Sequence, residues 1–152
     1  MTITSSSPAT TGAGFSAIIG APNAGKSTLV NALVGSKVSI VTQKVQTTRF
    51  PVRGIAMHGE AQIVLVDTPG IFKPRRRLDR AMVKSAWGGT EDADIVVMLI
   101  DAPAHLAVHF PAPDTKPTGA DKLAVEDAET IMAGLKANNR RAILVLNKID
   151  LL

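Results

Sequence analysis

A chain of 152 residues, 45% hydrophobic and 20% charged, carries enough apolar material for one globular domain with its own core. Its 17 lysines and arginines against 13 acids leave a net charge of only +4, and the absence of cysteine excludes disulfides and thiolate metal sites. No apolar run approaches the ~18 residues needed to span a bilayer, and a reducing cytoplasm fits the cysteine count.

The opening "MTITSSSPATTGAG" is small, polar and uncharged, without the cationic and apolar blocks of a signal peptide. It reads as a disordered leader over 1–14, ahead of a domain over 15–152. "FSAIIG" (15–20) is the first buried strand, and "KSTLVNALVG" places Leu29, Val30, Leu33 and Val34 at helical spacing before a C-capping Gly35. "FPVRGIAMHGE" (50–60) runs into "AQIVLVD" (61–67) through His58, Gly59 and Glu60, which predicts a hairpin and one antiparallel edge strand. "LDRAMVKSAW" is helical, "DIVVMLID" (94–101) is a strand, "KLAVEDAETIMAGLKAN" is helical and "RAILVLN" (141–147) is a strand. The region 102–121 holds four prolines and no sustained period, and is expected to be a long surface loop. Within it His105 and His109 stand i, i+4, but no acidic third ligand lies in register and a metal role is disfavoured.

Continuous apolarity in the strands implies cover on both faces. Strands alternating with helices predict an α/β, doubly wound, mostly parallel sheet with one antiparallel edge strand. Right-handed crossovers would then gather the strand-to-helix loops on one edge.

Three motifs fall on that edge. "GAPNAGKS" (20–27) follows a strand and opens a helix, as a phosphate-binding loop must: glycines let successive N–H groups turn inward, and the helix start adds unpaired donors. Lys26 can reach β- and γ-phosphates, and the Ser27 hydroxyl can ligate Mg²⁺. "DTPG" (67–70) ends another strand, where Asp67 can hold Mg²⁺ through water and Gly70 can offer its N–H to a γ-phosphate. "NKID" (147–150) selects the base. Guanine presents two adjacent donors, N1–H and the 2-amino group, which the Asp150 carboxylate can accept together, whereas adenine would leave that carboxylate unmatched. Asn147 can brace the loops, and the Lys148 stem can cover one face of the base. A P-loop ATPase is disfavoured on this motif.

With "GAPNAGKSTLVNALVGSKVSIVTQKVQTTR", "DTPGIFKPRRRL" and "NKID" in this order, the chain resembles the translation-factor-like GTPases of the TrmE-Era-EngA-like group, and within them the Era family of ribosome-assembly GTPases. The resemblance covers Phe15 to Leu152, with 102–121 resembling an insertion. It implies a GTP-binding, GTP-hydrolysing switch acting in assembly of the small ribosomal subunit and its 16S rRNA; the alternative is a binding switch with negligible hydrolysis. GTP would be held by Gly20, Ala21, Pro22, Asn23, Ala24, Gly25, Lys26, Ser27 and Thr28, with Thr48, Asp67, Gly70, Asn147, Lys148 and Asp150. Thr48 in "QTTR" matches the Mg²⁺-ligating switch residue, with Thr47 as fallback. The segments 37–50 and 67–80 match the two switches, the second carrying the basic run of Lys73, Arg75, Arg76, Arg77 and Arg80.

Two positions bear on mechanism. Ile71 stands where many GTPases carry the glutamine that orients the attacking water, so no general base is assigned. Asn23 matches the asparagine that helps bind K⁺ in potassium-activated relatives; the competing reading is a residue that stabilises its own turn. The family also carries a Ser-Ala-type base loop, a last strand and helix, and a C-terminal RNA-binding KH domain. None of these occurs in the 152 residues. The expectations that follow are a G domain truncated before its last strand and helix, self-association of this chain through an uncovered strand, and a cytoplasmic location that allows peripheral contact with the inner face of the cell membrane.

Overall fold

The computed structural model describes residues 12–36, 52–71 and 77–152. Five strands form one sheet in the order β2-β3-β1-β4-β5, with β1 Ala13–Gly20, β2 Val52–His58, β3 Ala61–Asp67, β4 Ile95–Asp101 and β5 Ile143–Asn147. β1 pairs in parallel with β3 and β4, and β4 with β5, while β2 runs antiparallel to β3 at the edge. The doubly wound, mostly parallel α/β arrangement predicted from the sequence is the one observed. β1 begins at Ala13, two residues ahead of its expected start.

The continuous apolar runs of β1 and β4 are explained by cover on both faces of the sheet, whereas β5, with Ile143, Leu144 and Leu146 exposed, lacks the expected cover. Neighbouring residues of a strand point to opposite sides. Ile19, Met98 and Ile100 accordingly join Ile131 and Leu135 of α4 (Gly119–Ala137) in one buried cluster. Ile18 and Leu99 join Val30 of α1 (Lys26–Val34) in the other. Gly35 ends α1 in the left-handed conformation at φ 74°, its N–H donating to the Asn31 carbonyl.

The region 102–121 is not one loop. α3 spans Ala102–His109, and α4 starts at Gly119 behind a capping box made by Thr118 and Asp121. The prolines were misleading because Pro103 sits in the first turn of α3, where its missing N–H costs nothing. Pro111, Pro113 and Pro117 fall between the helices. His105 and His109 therefore do share a helix face, with ring centroids 5.7 Å apart. Among the described residues no group of three or more His, Cys, Asp or Glu is placed to hold a metal ion.

α4 passes α2 (Arg77–Glu91) at Gly134 and Trp87. A Cβ on Gly134 would lie 2.6 Å from Trp87 Cζ2 and 2.7 Å from Cη2. Helix propensity alone would favour alanine here by ~1 kcal/mol, but overpacking against a rigid ring costs ~1–3 kcal/mol. Gly134→Ala is thus expected to lower the melting temperature by a few degrees in the native background and to raise it when Trp87 is Leu. Thermal scans of the four combinations check the reversal of sign. No helix of the described residues is long and apolar enough to cross a membrane.

Candidate functional site

The carboxyl ends of β1, β3, β4 and β5 lie on one edge of the sheet, and register sets them level. Ile18 pairs with Asp67, Gly20 with Leu99, and Asp101 with Asn147. All three sequence motifs meet there.

The phosphate loop is held open by close backbone approaches. A Cβ on Gly20 would lie 2.7 Å from the Leu99 carbonyl oxygen, and Gly25 stands at φ 95° as N-cap of α1. Asn23 is left-handed at φ 61° and exposed, a conformation asparagine tolerates better than most residues. That geometry favours its turn-forming role and leaves its side chain at the surface.

Lys26 is buried, and its Nζ donates to the carbonyls of Gly20 at 3.1 Å and Ala21 at 2.8 Å. The ammonium is thus folded against the strand end that opens the loop. Burial lowers its pKa from 10.5 to about 8, opposed by the negative charge of Asp67. At neutral pH it remains mostly a cation, held close to neutralisation.

The Ser27 hydroxyl donates to Asp67 Oδ2 at 2.7 Å, and both residues are buried. Together they offer two hard oxygen donors of the kind Mg²⁺ takes, at the mouth of the phosphate loop, so the residues present fit that ion. Thr68 donates to the Ile18 carbonyl at 2.7 Å, which fixes the segment after β3 against β1. Gly70 then packs on the loop, where a Cβ would meet Pro22 backbone atoms at 3.0 Å, and the Ile71 N–H donates to the Gly20 carbonyl at 3.2 Å. The Ile71 side chain turns away into the core beside Ile19 and Met98. It does not face the loop.

At the other end, Asn147 Nδ2 donates to the Ala24 carbonyl at 2.8 Å and sits where a Cβ on Gly25 would be, at 2.2 Å. This one side chain ties the end of β5 to the phosphate loop. Lys148 is left-handed at φ 62°, and Asp150 is exposed on a 3-10 turn over Ile149–Leu151. Asp101, which sequence reasoning passed over, ends β4 here and contacts Lys148. Its signal was available, because "DAP" after a strand is an N-cap followed by a first-turn proline. Burial holds the nearby His105 below the ordinary histidine range, with His109 adding to the effect and Glu129 and Asp101 opposing it.

Thr47, Thr48, the segment 37–50 and Lys73, Arg75 and Arg76 lie outside the described residues, as do the side chains of Arg77 and Arg80.

Known proteins resemble this chain in sequence and in fold. The chain is 64% identical over 140 residues to GTPase Era of Caulobacter vibrioides, covering 92% of this chain and 43% of that protein. It is 57% identical to GTPase Era of Rhizobium meliloti, covering 92% of this chain and 39% of that one. The chain thus spans about two-fifths of the length of these curated relatives. Among solved structures, a variant of Aquifex aeolicus Era bound to GDP.AlF4- matches with a TM-score of 0.59 and 36% identity, over 88% of this chain and 50% of that one. Era in complex with MgGDPNP and nucleotides 1506-1542 of 16S ribosomal RNA matches with a TM-score of 0.60 and 34% identity, again over 88% and 50%. The family described as 50S ribosome-binding GTPase matches residues 15–148, nearly the whole sheet, with the first two motifs and the opening Asn147 and Lys148 of the third. The chain belongs to that family.

Proposed function

We propose that this chain binds GTP with Mg²⁺, hydrolyses it to GDP and phosphate, and acts as a switch in assembly of the small ribosomal subunit. The observation that carries the proposal is the Asn147–Ala24 hydrogen bond, which joins the guanine-selecting motif to a phosphate loop whose Lys26 and Ser27–Asp67 pair lie alongside.

Each residue has a task. The backbone N–H groups of Gly20 to Thr28, all but Pro22, which has none, and the start of α1 hold the phosphates, and Lys26 offsets their β/γ charge. Ser27 and Asp67 (through water) would hold Mg²⁺, joined by Thr48. The ion, when bound, neutralises charge on the transferring phosphoryl group. Gly70 offers its N–H to the γ-phosphate. Asp150 accepts from guanine N1–H and the 2-amino group, with the Lys148 stem across the base. The 16S direction is supported by the similarity to Era in complex with that RNA. A cytoplasmic place, with peripheral contact at the membrane, and an RNA-binding partner domain belong to the same proposal. The exposed apolar residues Ile143, Leu144 and Leu146 on β5 support self-association of the chain through that strand.

Single-turnover phosphate release, with and without small ribosomal particles, tests the enzyme reading, and competition of GTP against ATP tests the base. Release stimulated by particles and competition by GTP alone are expected. Ile71 supports a second reading, a binding switch with negligible hydrolysis, because its side chain is committed to the core. Release that stays negligible with particles present would favour it.

If the Asn23 side chain helps bind K⁺ beside the β- and γ-phosphates, turnover is faster in KCl than in NaCl at equal ionic strength, and Asn23→Ala removes the difference while GDP still binds. Equal rates in the two salts would leave Asn23 its turn-forming role alone.

A further inference from the structure

Asp101 does none of the work assigned above, yet its carboxylate makes two directed contacts. Oδ1 accepts from the Ala104 N–H at 3.2 Å and caps α3, while Oδ2 pairs with Lys148 Nζ at 2.5 Å. Register explains the meeting: Asp101 is level with Asn147, so Lys148 follows β5 just beyond the point where Asp101 closes β4. The pair is partly shielded, with the Lys148 side chain 30% exposed and that of Asp101 16%. Lys148 is also in a left-handed conformation that long side chains rarely adopt, and α3 packs on the turn that carries Asp150.

A long flexible lysine at a strand end would otherwise sample many rotamers, and ordering it on nucleotide binding would weaken affinity. We infer that Asp101 is a positioning residue for the guanine site, holding Lys148 Nζ from the N-terminus of α3 so that the lysine stem is already set where the base lies. The inference rests on the guanine reading of residues 147–150. It also makes α3 part of the site's support, since the same carboxylate anchors both.

The simpler role is helix capping, and one substitution separates the two. Asparagine caps helices as well as aspartate does but brings no charge to Lys148. Asp101→Asn is therefore expected to weaken GDP about tenfold by calorimetry, with the melting temperature of the nucleotide-free protein unchanged. IDP should weaken by the same factor, because Lys148 meets the face of the base and not its edge. In a Lys148→Met background, which keeps the apolar stem, Asp101→Asn should have no further effect.

Unchanged GDP affinity in Asp101→Asn, with or without a lower melting temperature, overturns the inference and leaves a cap only. So does an undiminished tenfold loss in the Lys148→Met background. A parent protein that binds GDP no better than ADP is a different result: it removes the guanine reading, and this inference with it.

Discussion

Lys26→Ala and Ser27→Ala are each expected to abolish Mg·GTP binding, with affinity falling by ~10³-fold or more as several charge-assisted contacts are lost together. Lys26 brings a buried cation to the loop, and Ser27 contributes the hydroxyl paired with Asp67. Titration with a fluorescent nucleotide reads the loss, and circular dichroism shows whether the fold persists. Retained Mg·GTP binding in either variant would mean that the phosphate loop is not the site. The pH dependence adds a second readout. With the Lys26 pKa at about 8 when folded and 10.5 ordinarily, the unfolded chain holds more protons between those values. This group's contribution to stability therefore rises with pH across that window, by at most about 3 kcal/mol, and is absent from Lys26→Met. Phosphate binding acts in the opposite sense. An anion beside the ammonium raises its pKa again, so nucleotide affinity should fall as pH climbs above about 8. Affinity that stays level from neutral pH to well above 8 would show that the Lys26 charge does not serve phosphate.

Asp150→Asn should exchange guanine for xanthine. The carboxylate takes two donors from guanine, and a charge-assisted pair of this kind is worth ~1.5–3 kcal/mol, so GTP should weaken by roughly 10–150-fold. Asparagine brings a donor, and xanthine has a carbonyl at the 2-position to receive it. XTP should therefore compete better against the variant than GTP does. Asp150 is exposed on its 3-10 turn, so the exchange should leave the melting temperature of the nucleotide-free protein within a degree or so. A variant that keeps its preference for GTP over XTP would remove Asp150 from the base site.

The strands were readable because burial on both faces leaves an unbroken apolar signature, as in Ile18 and Ile19 or Met98 and Leu99, whose neighbours face opposite clusters. The hairpin was readable through Gly59, which stands at φ 59°. α3 was not legible because proline breaks a helix interior yet suits a first turn, where Pro103 falls. Within the site, residues in local sequence patterns were legible, and Asn147 was expected to brace the loops, but the atoms that a distant partner supplies were not legible. The motif "NKID" named Asn147, but nothing local says that its side chain would fill the space beside Gly25. Asp101 escaped because its meaning depends on Lys148, which only sheet register brings near.

The order of strands has a consequence for synthesis. β1 is made first, yet it is the middle strand, and its partners β3 and β4 lie far downstream. At roughly 5–20 residues per second, several seconds pass between release of "FSAIIG" and arrival of β4. Until β3 emerges this largely apolar strand has neither of its parallel neighbours, and until β4 emerges it has only one, while such non-local pairing is intrinsically slow. The phosphate loop is therefore translated before the strands that hold its edge of the sheet, and nucleotide can stabilise the protein only after that wait is over.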